Sequence, residues 1–195
     1  MKLLLDILQG LGLASATGLR PFLPALLAGA LASDDLGLDF DGTEFAFLES
    51  PWWLLALAVA LVASVFARRA LETGRGEAAL SGLGIGLGAL LCAASIDDRH
   101  GVWWYGLLIG ALVAYLASSV SRQLFHRVRA RFASANDAAA AAALPFYGEA
   151  AALVVAGASI LFPPLSLLAV GFLIALLVTG RRRSDQKYAG LRILR

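Results

Sequence analysis

A chain of 195 residues that is 59% hydrophobic and only 15% charged is not a soluble domain, because those run nearer half apolar and a quarter charged. Its sequence pI near 9.0 does not point to nucleic acid, since the basic residues cluster at the ends of apolar segments. A single cysteine, Cys92, excludes an internal disulfide and a cysteine-cluster metal site; inside an apolar run it reads as a small buried hydrophobe.

The composition predicts an all-α integral membrane protein, with no cofactor and no metal implied by the sequence. Apolar spans are predicted at about 3–32, 51–67, 78–96, 102–120, 142–162 and 164–180. The first exceeds a signal peptide's apolar stretch of about 7–15 residues and has no clean cleavage site after it, so it reads as a span. It is longer than the roughly 20 residues a crossing needs, which predicts tilt, a break, or a part lying along the interface. The sequence Gly18-Leu19-Arg20-Pro21-Phe22-Leu23-Pro24 interrupts it, and Gly18, Pro21 and Pro24 mark the expected break. After it, residues 33–50 carry Asp34, Asp35, Asp39, Asp41, Glu44 and Glu49 and no base, which reads as a solvated linker.

The second span opens at Pro51-Trp52-Trp53 and meets Arg68-Arg69; the fourth opens at Trp103-Trp104-Tyr105 and runs into Arg122, Arg127, Arg129 and Arg131. In the fifth, the alanines at 138–143 are either its start or a separate short helix, with Asn136 and Asp137 as N-caps. Pro145 either kinks that helix or opens it. A tight turn is expected at Phe162-Pro163-Pro164.

Six spans place alternate loops on opposite sides. Fourteen of the sixteen Lys and Arg then fall on one side: Lys2, three in the 68–77 loop, four at 121–131 and six in the tail. Arg99 falls on the other side and Arg20 within the membrane. The positive-inside rule predicts a cell-membrane protein with both termini cytoplasmic and both Trp pairs at the outer interface. Residues 1–180 form one transmembrane domain in this reading, and 181–195 a basic cytoplasmic tail.

Gly82 with Gly86, and Gly84 with Gly88, set small residues four apart, as close helix packing requires, within one subunit or in a homo-oligomer. A dinucleotide-binding loop would need a preceding strand, which is not predicted here. The arginines from Arg122 to Arg131, with Phe125 and Phe132, suit a topology anchor or a surface for anionic lipid headgroups. His100 and His126 fall on opposite sides and cannot share a metal; no Ser-His-Asp or Cys-His set is brought together.

The charged residues deep in apolar runs are the candidates for function. Arg20 and Glu149, the latter in Pro145-Phe146-Tyr147-Gly148-Glu149, are the two deep ones, while Asp6 lies near enough to the predicted cytoplasmic end to reach water. Ions at membrane depth are costly unless they pair or meet water. The sequence therefore allows a pair between Arg20 and Glu149 without fixing it, with Ser15, Thr17 and Tyr147 as nearby polar groups. Such a pair either fixes helix register or forms a substrate- or ion-binding site of the kind transporters build at broken helices.

The N-terminal stretch Gly10-Leu11-Gly12-Leu13-Ala14-Ser15-Ala16-Thr17-Gly18-Leu19-Arg20-Pro21-Phe22-Leu23-Pro24 resembles the N-terminal pattern of an uncharacterised bacterial multi-pass membrane family, domain of unknown function 4126. Glu149 in the penultimate helix is similar as well, and Ser50-Pro51-Trp52 matches loosely. The chain departs from the family after Ala67, where Arg68-Arg69 replaces an acid-bearing helix end and an Asp-Lys loop. The resemblance implies an integral membrane protein and no settled activity. Three readings follow. The first is a small-solute or ion transporter or channel with its site around Arg20 and Glu149. The second is a membrane scaffold or assembly protein with a structural Arg–Glu pair. The third is an enzyme acting on lipid or isoprenoid substrates, for which no nucleophile or acid–base pair has convincing spacing.

Overall fold

Ser15, Thr17 and their neighbours Leu13, Ala14 and Ala16 are all fully buried, so the helix that carries them is enclosed on every side along this stretch. In the computed structural model, which describes residues 2–67, 74–100, 103–134 and 138–191, this is α1 (Lys2–Leu19). It is followed by α2 (Phe22–Ala32), a short 3-10 helix (Ala46–Glu49), α3 (Pro51–Phe66), α4 (Gly74–His100), α5 (Trp103–Ser134), α6 (Ala138–Leu161) and α7 (Leu165–Leu191). The described residues contain no strand. Three segments are long and apolar enough to cross a membrane: Gly74–Asp97, Trp103–Phe132 and Ala143–Leu161. Leu3–Leu19, Phe22–Ala32, Pro51–Phe66 and Leu165–Gly180 are shorter apolar helices.

Local chemistry accounts for the helix boundaries. Ser50 caps α3 by accepting a hydrogen bond from the Trp53 N–H at 3.3 Å, with Pro51 at the first helical position. The alanines from Ala138, the strongest helix formers, begin α6, which continues through Pro145. They are not a separate helix. Helix α5 carries straight on through the arginines from Arg122 to Arg131, and α7 runs past Gly180 to Leu191. Asn136, Asp137 and Arg68-Arg69 lie outside the described residues, as do the side chains of Arg99, His100 and the basic C-terminal segment.

Helix α1 packs against α4, α5, α6 and α7, and small residues permit it. A Cβ on Gly84 would lie 2.7 Å from the Thr17 carbonyl oxygen, and one on Gly88 would lie 2.8 Å from Thr17 Oγ1. A Cβ on Gly18 would lie 2.4 Å from the Ala114 carbonyl oxygen. Gly82 and Gly86 turn the other way, with open space around them. Of the two glycine pairs, only Gly84 and Gly88 therefore pack α4 against α1.

The same contacts correct the reading of residues 3–32 as one crossing. Gly10 lies against Cys92 late in α4, Thr17 against Gly84 early in α4, and the Leu19 carbonyl near Ser121. Helix α1 therefore runs toward the end of the bundle where α5 becomes basic. Helix α2 runs back, bringing Gly29 to Leu48 and Leu54. Arg20 and Pro21 form the turn of a helical hairpin, and the first apolar run contributes two helices. The thirty residues of this predominantly apolar run allow either arrangement, because hydropathy carries no direction.

The start of α1 consequently lies at the acidic end. Gln9 Nε2 donates to the Gly37 carbonyl at 2.7 Å, and Asp6 lines a cavity of about 270 Å3 with Asp35, Asp39 and Ser95. Asp6 is buried there and does not reach water at the basic end. Gly180 of α7 lies at the opposite end of the bundle, where Arg127 donates to its carbonyl at 3.3 Å.

Residues 33–50 are more than a linker. Leu38, Phe40, Phe45 and Leu48 are buried in the main core while the acids at 34, 35, 39, 41 and 44 face outward. Gly37, at φ +81, makes the turn a side chain would strain. Glu49 accepts a hydrogen bond from the Phe40 N–H; burial and then the acids around it push its carboxyl above the ordinary value, against that hydrogen bond. Phe45 meets Trp103 and Phe47 meets Trp53 edge to face, so both Trp pairs sit at the acidic end.

The glycine packing makes a contrast that a thermal melt can read. Gly84→Leu should destabilise the detergent-solubilised protein by about 1–3 kcal/mol, the usual cost of overpacking, whereas Gly82→Leu should leave the melting temperature unchanged. Equal effects of the two would contradict the packing described.

Candidate functional site

The hairpin turn is built so that its unusual residues are cheap to hold. The Arg20 N–H closes the last turn of α1 on the Ala16 carbonyl at 3.0 Å, which places a cation at a helix C-terminus, where the helix dipole favours it. Pro21 is the N-cap of α2 and Pro24 the third residue of that helix. The first N–H groups of a helix have no intrahelical partner, so neither proline removes a helix hydrogen bond.

Arg20 lies between two other helices. Its Nε stands 3.8 Å from Glu149 Oε1 on α6, and both side chains are mostly buried. Its guanidinium lies over the Phe125 ring of α5, 4.8 Å from the centroid, a cation–π contact that strengthens as water is excluded. Gly148 makes room for both: a Cβ there would lie 2.5 Å from Phe125 Cζ and 3.0 Å from Arg20 Nε. The site is thus Arg20, Glu149, Phe125 and Gly148, drawn from the hairpin turn and two helices.

The structure brings together Arg20 and Glu149 and leaves the other expected polar groups elsewhere. Ser15 donates its hydroxyl to the Gly12 carbonyl at 2.7 Å, and Thr17 shares its hydroxyl between the Leu13 and Ala14 carbonyls at 3.0 and 3.1 Å. Both satisfy their own helix, as a dry interior requires. Tyr147 is 72% exposed, away from the guanidinium. Arg20 itself is not at mid-depth of the bundle, because the hairpin turn brings it level with Leu80 on α4 and with Ser121 and Phe125 on α5.

Beside Arg20 lies a polar cavity of about 90 Å3, room for several waters. Arg122, Arg129, His126, Glu77, Ser81 and Ser118 share its lining. His126 Nε2 is 3.2 Å from Glu77 Oε1. Ser121 donates to the Leu19 carbonyl at 3.5 Å, linking α5 to the end of α1. Arginine is matched to planar anions through its fixed fork of donors, and three arginines line this cavity beside one acid, Glu77.

Comparison with known sequences decides the family. This chain belongs to the family described as Domain of unknown function (DUF4126). The family's sequence model matches residues 7–183, so the DUF4126 region includes the whole hairpin, Phe125, Gly148 and Glu149. No curated protein and no solved structure matches the chain.

Phe125 and Gly148 were not singled out for this role by the sequence. Phe125 reads there as one of two aromatics in a basic stretch. Gly148 stands next to Glu149, and a glycine beside a deep acid in an apolar helix is the one signal that marks close approach. Gly148→Ala should destabilise the DUF4126 protein by about 1–3 kcal/mol, as overpacking does, and Phe125→Leu should recover part of that loss. A melt in which Gly148→Ala is neutral would rule out the contact.

Proposed function

We propose that the chain is a multi-pass protein of the cell membrane that moves a small anionic solute through a site at the basic end of its helix bundle. The observation that carries this reading is Arg20, a guanidinium held at a helix break by Glu149 and Phe125 with a cavity on each side of it. Binding needs a cation that solvent can reach, and release needs a competitor for it. Glu149 supplies such a competitor, since an anion entering beside Arg20 and the Glu149 carboxylate attract the same guanidinium.

The sidedness follows from charge. Arg75, Arg122, Arg127, Arg129 and Arg131 belong to the basic end, and the positive-inside rule assigns that end to the cytoplasm. Seven helices then start outside and finish inside. A reporter fused at the C-terminus should read cytoplasmic and one at the N-terminus should read external; a cytoplasmic reading from both ends would contradict this topology.

Flux tests the activity. Purified protein in liposomes should pass chloride or inorganic phosphate faster than empty liposomes, and Arg20→Gln should abolish that flux while the protein still melts cooperatively. No flux of any small anion by folded protein would sink the proposal. So would recovery of both fold and flux when Glu149→Gln is added to Arg20→Gln, since the pair would then be purely structural.

A further inference from the structure

The solute's chemical class can be narrowed, because the two cavities beside Arg20 differ in character. The more polar one is bounded by Arg20, Arg122 and Arg129 beside Glu77 and His126, with Arg20 already paired to Glu149. The other, about 200 Å3, is walled by Phe22, Leu23, Leu61, Val65, Leu80 and Phe146, with Arg20, Glu149 and Ser64 as its polar members. Arg20, Pro21 and Leu80 line both, so an oily space and a cationic space share one wall at the hairpin turn.

Depth adds a separate argument. Arg122 follows Trp103 by nineteen residues of continuous helix, about 28 Å at 1.5 Å per residue. That is close to the hydrocarbon thickness of a bilayer, about 30 Å. With the Trp103-Trp104 pair at one interface, Arg122 falls at the headgroup level of the other. A cationic cavity at that depth, backed by an apolar one, is complementary to a molecule with a phosphate at one end and a hydrocarbon chain at the other. A free inorganic anion would leave the apolar cavity unused.

From this juxtaposition we infer that the chain binds an anionic amphiphile that ends in a phosphate monoester, with its phosphate among Arg20, Arg122 and Arg129 and the first part of its hydrocarbon chain between Phe22 and Leu61. The inference rests on the proposed anion site and names the ligand class for it. Arginine forks match phosphate oxygens two at a time, and the apolar walls remove the adjoining methylenes from water. Glu149, on the apolar side of Arg20, sets the point at which the phosphate cannot move deeper.

The test is ligand-dependent melting of the full chain in detergent. The probes are dioleoyl phosphatidic acid, farnesyl phosphate, dioleoyl phosphatidylcholine and inorganic phosphate. Phosphatidic acid and farnesyl phosphate should raise the melting temperature saturably, and phosphatidylcholine should not. The double variant Arg122→Gln/Arg129→Gln should weaken the response by about tenfold or more, the scale of a charge-assisted contact. Leu61→Trp, which fills the apolar cavity, should weaken it as well; Val65→Phe serves if Leu61→Trp does not fold.

Inorganic phosphate stabilising as well as the amphiphiles would overturn the inference in favour of a free anion. An amphiphile response unchanged in both the arginine and the cavity-filling variants would overturn it in favour of detergent-like adsorption. The two proposals also fail separately. Amphiphile binding without anion flux would refute transport alone, and anion flux without amphiphile binding would refute this inference alone.

Discussion

From Gly12 to Gly18 helix α1 is buried on every side, and the rest of the bundle is arranged to enclose that stretch. An enclosed helix must present small residues where backbones approach and must satisfy its own polar groups. Gly84 and Gly88 of α4 meet it at Thr17, and Ala114 and Ala117 of α5 meet it at Gly18. Ser15 and Thr17 return their hydroxyls to carbonyls of the same helix. Without those small residues, the side chains of α1 would hold α4 and α5 apart, and Arg20 would not reach Phe125.

The position of Arg20 follows from that enclosure. Helix α1 is only eighteen residues long and ends where α5 turns basic, so the charge falls at the end of the bundle and not in its middle. A guanidinium at the middle of a bilayer is expensive; one at the end of a helical hairpin, between a carboxylate and an aromatic face, is far less so. The ion pair has intermediate exposure, between a surface pair that contributes little and a buried pair whose desolvation costs as much as the attraction returns. A site of that kind suits binding and release better than it suits permanent stabilisation.

The two ends of the bundle are chemically unlike. The acidic end is closed by the 33–50 segment, which buries Phe40, Phe45 and Leu48 and turns its carboxylates outward. At the basic end Arg20, Arg122 and Arg129 line one cavity, and Arg20 also lines a second, more apolar one.

Composition and pattern determined the all-helical, membrane-type character of this protein, the charge contrast between its loops, and Arg20 and Glu149 as the residues to watch. Those follow from residue type alone, because apolar length and the cost of a buried ion do not depend on which helix lies next to which. Tertiary structure decided the direction of α1, the hairpin at Arg20 and Pro21, and the burial of Asp6 at the acidic end. A run of apolar residues carries no arrow, so 3–32 reads equally well as one crossing or as two helices. Only packing also showed that Gly84 and Gly88 face inward while Gly82 and Gly86 do not, and that Phe125 and Gly148 complete the Arg20 site. Those relations are contacts between helices far apart in the chain, and the helical period of 3.6 specifies a face without naming its partner.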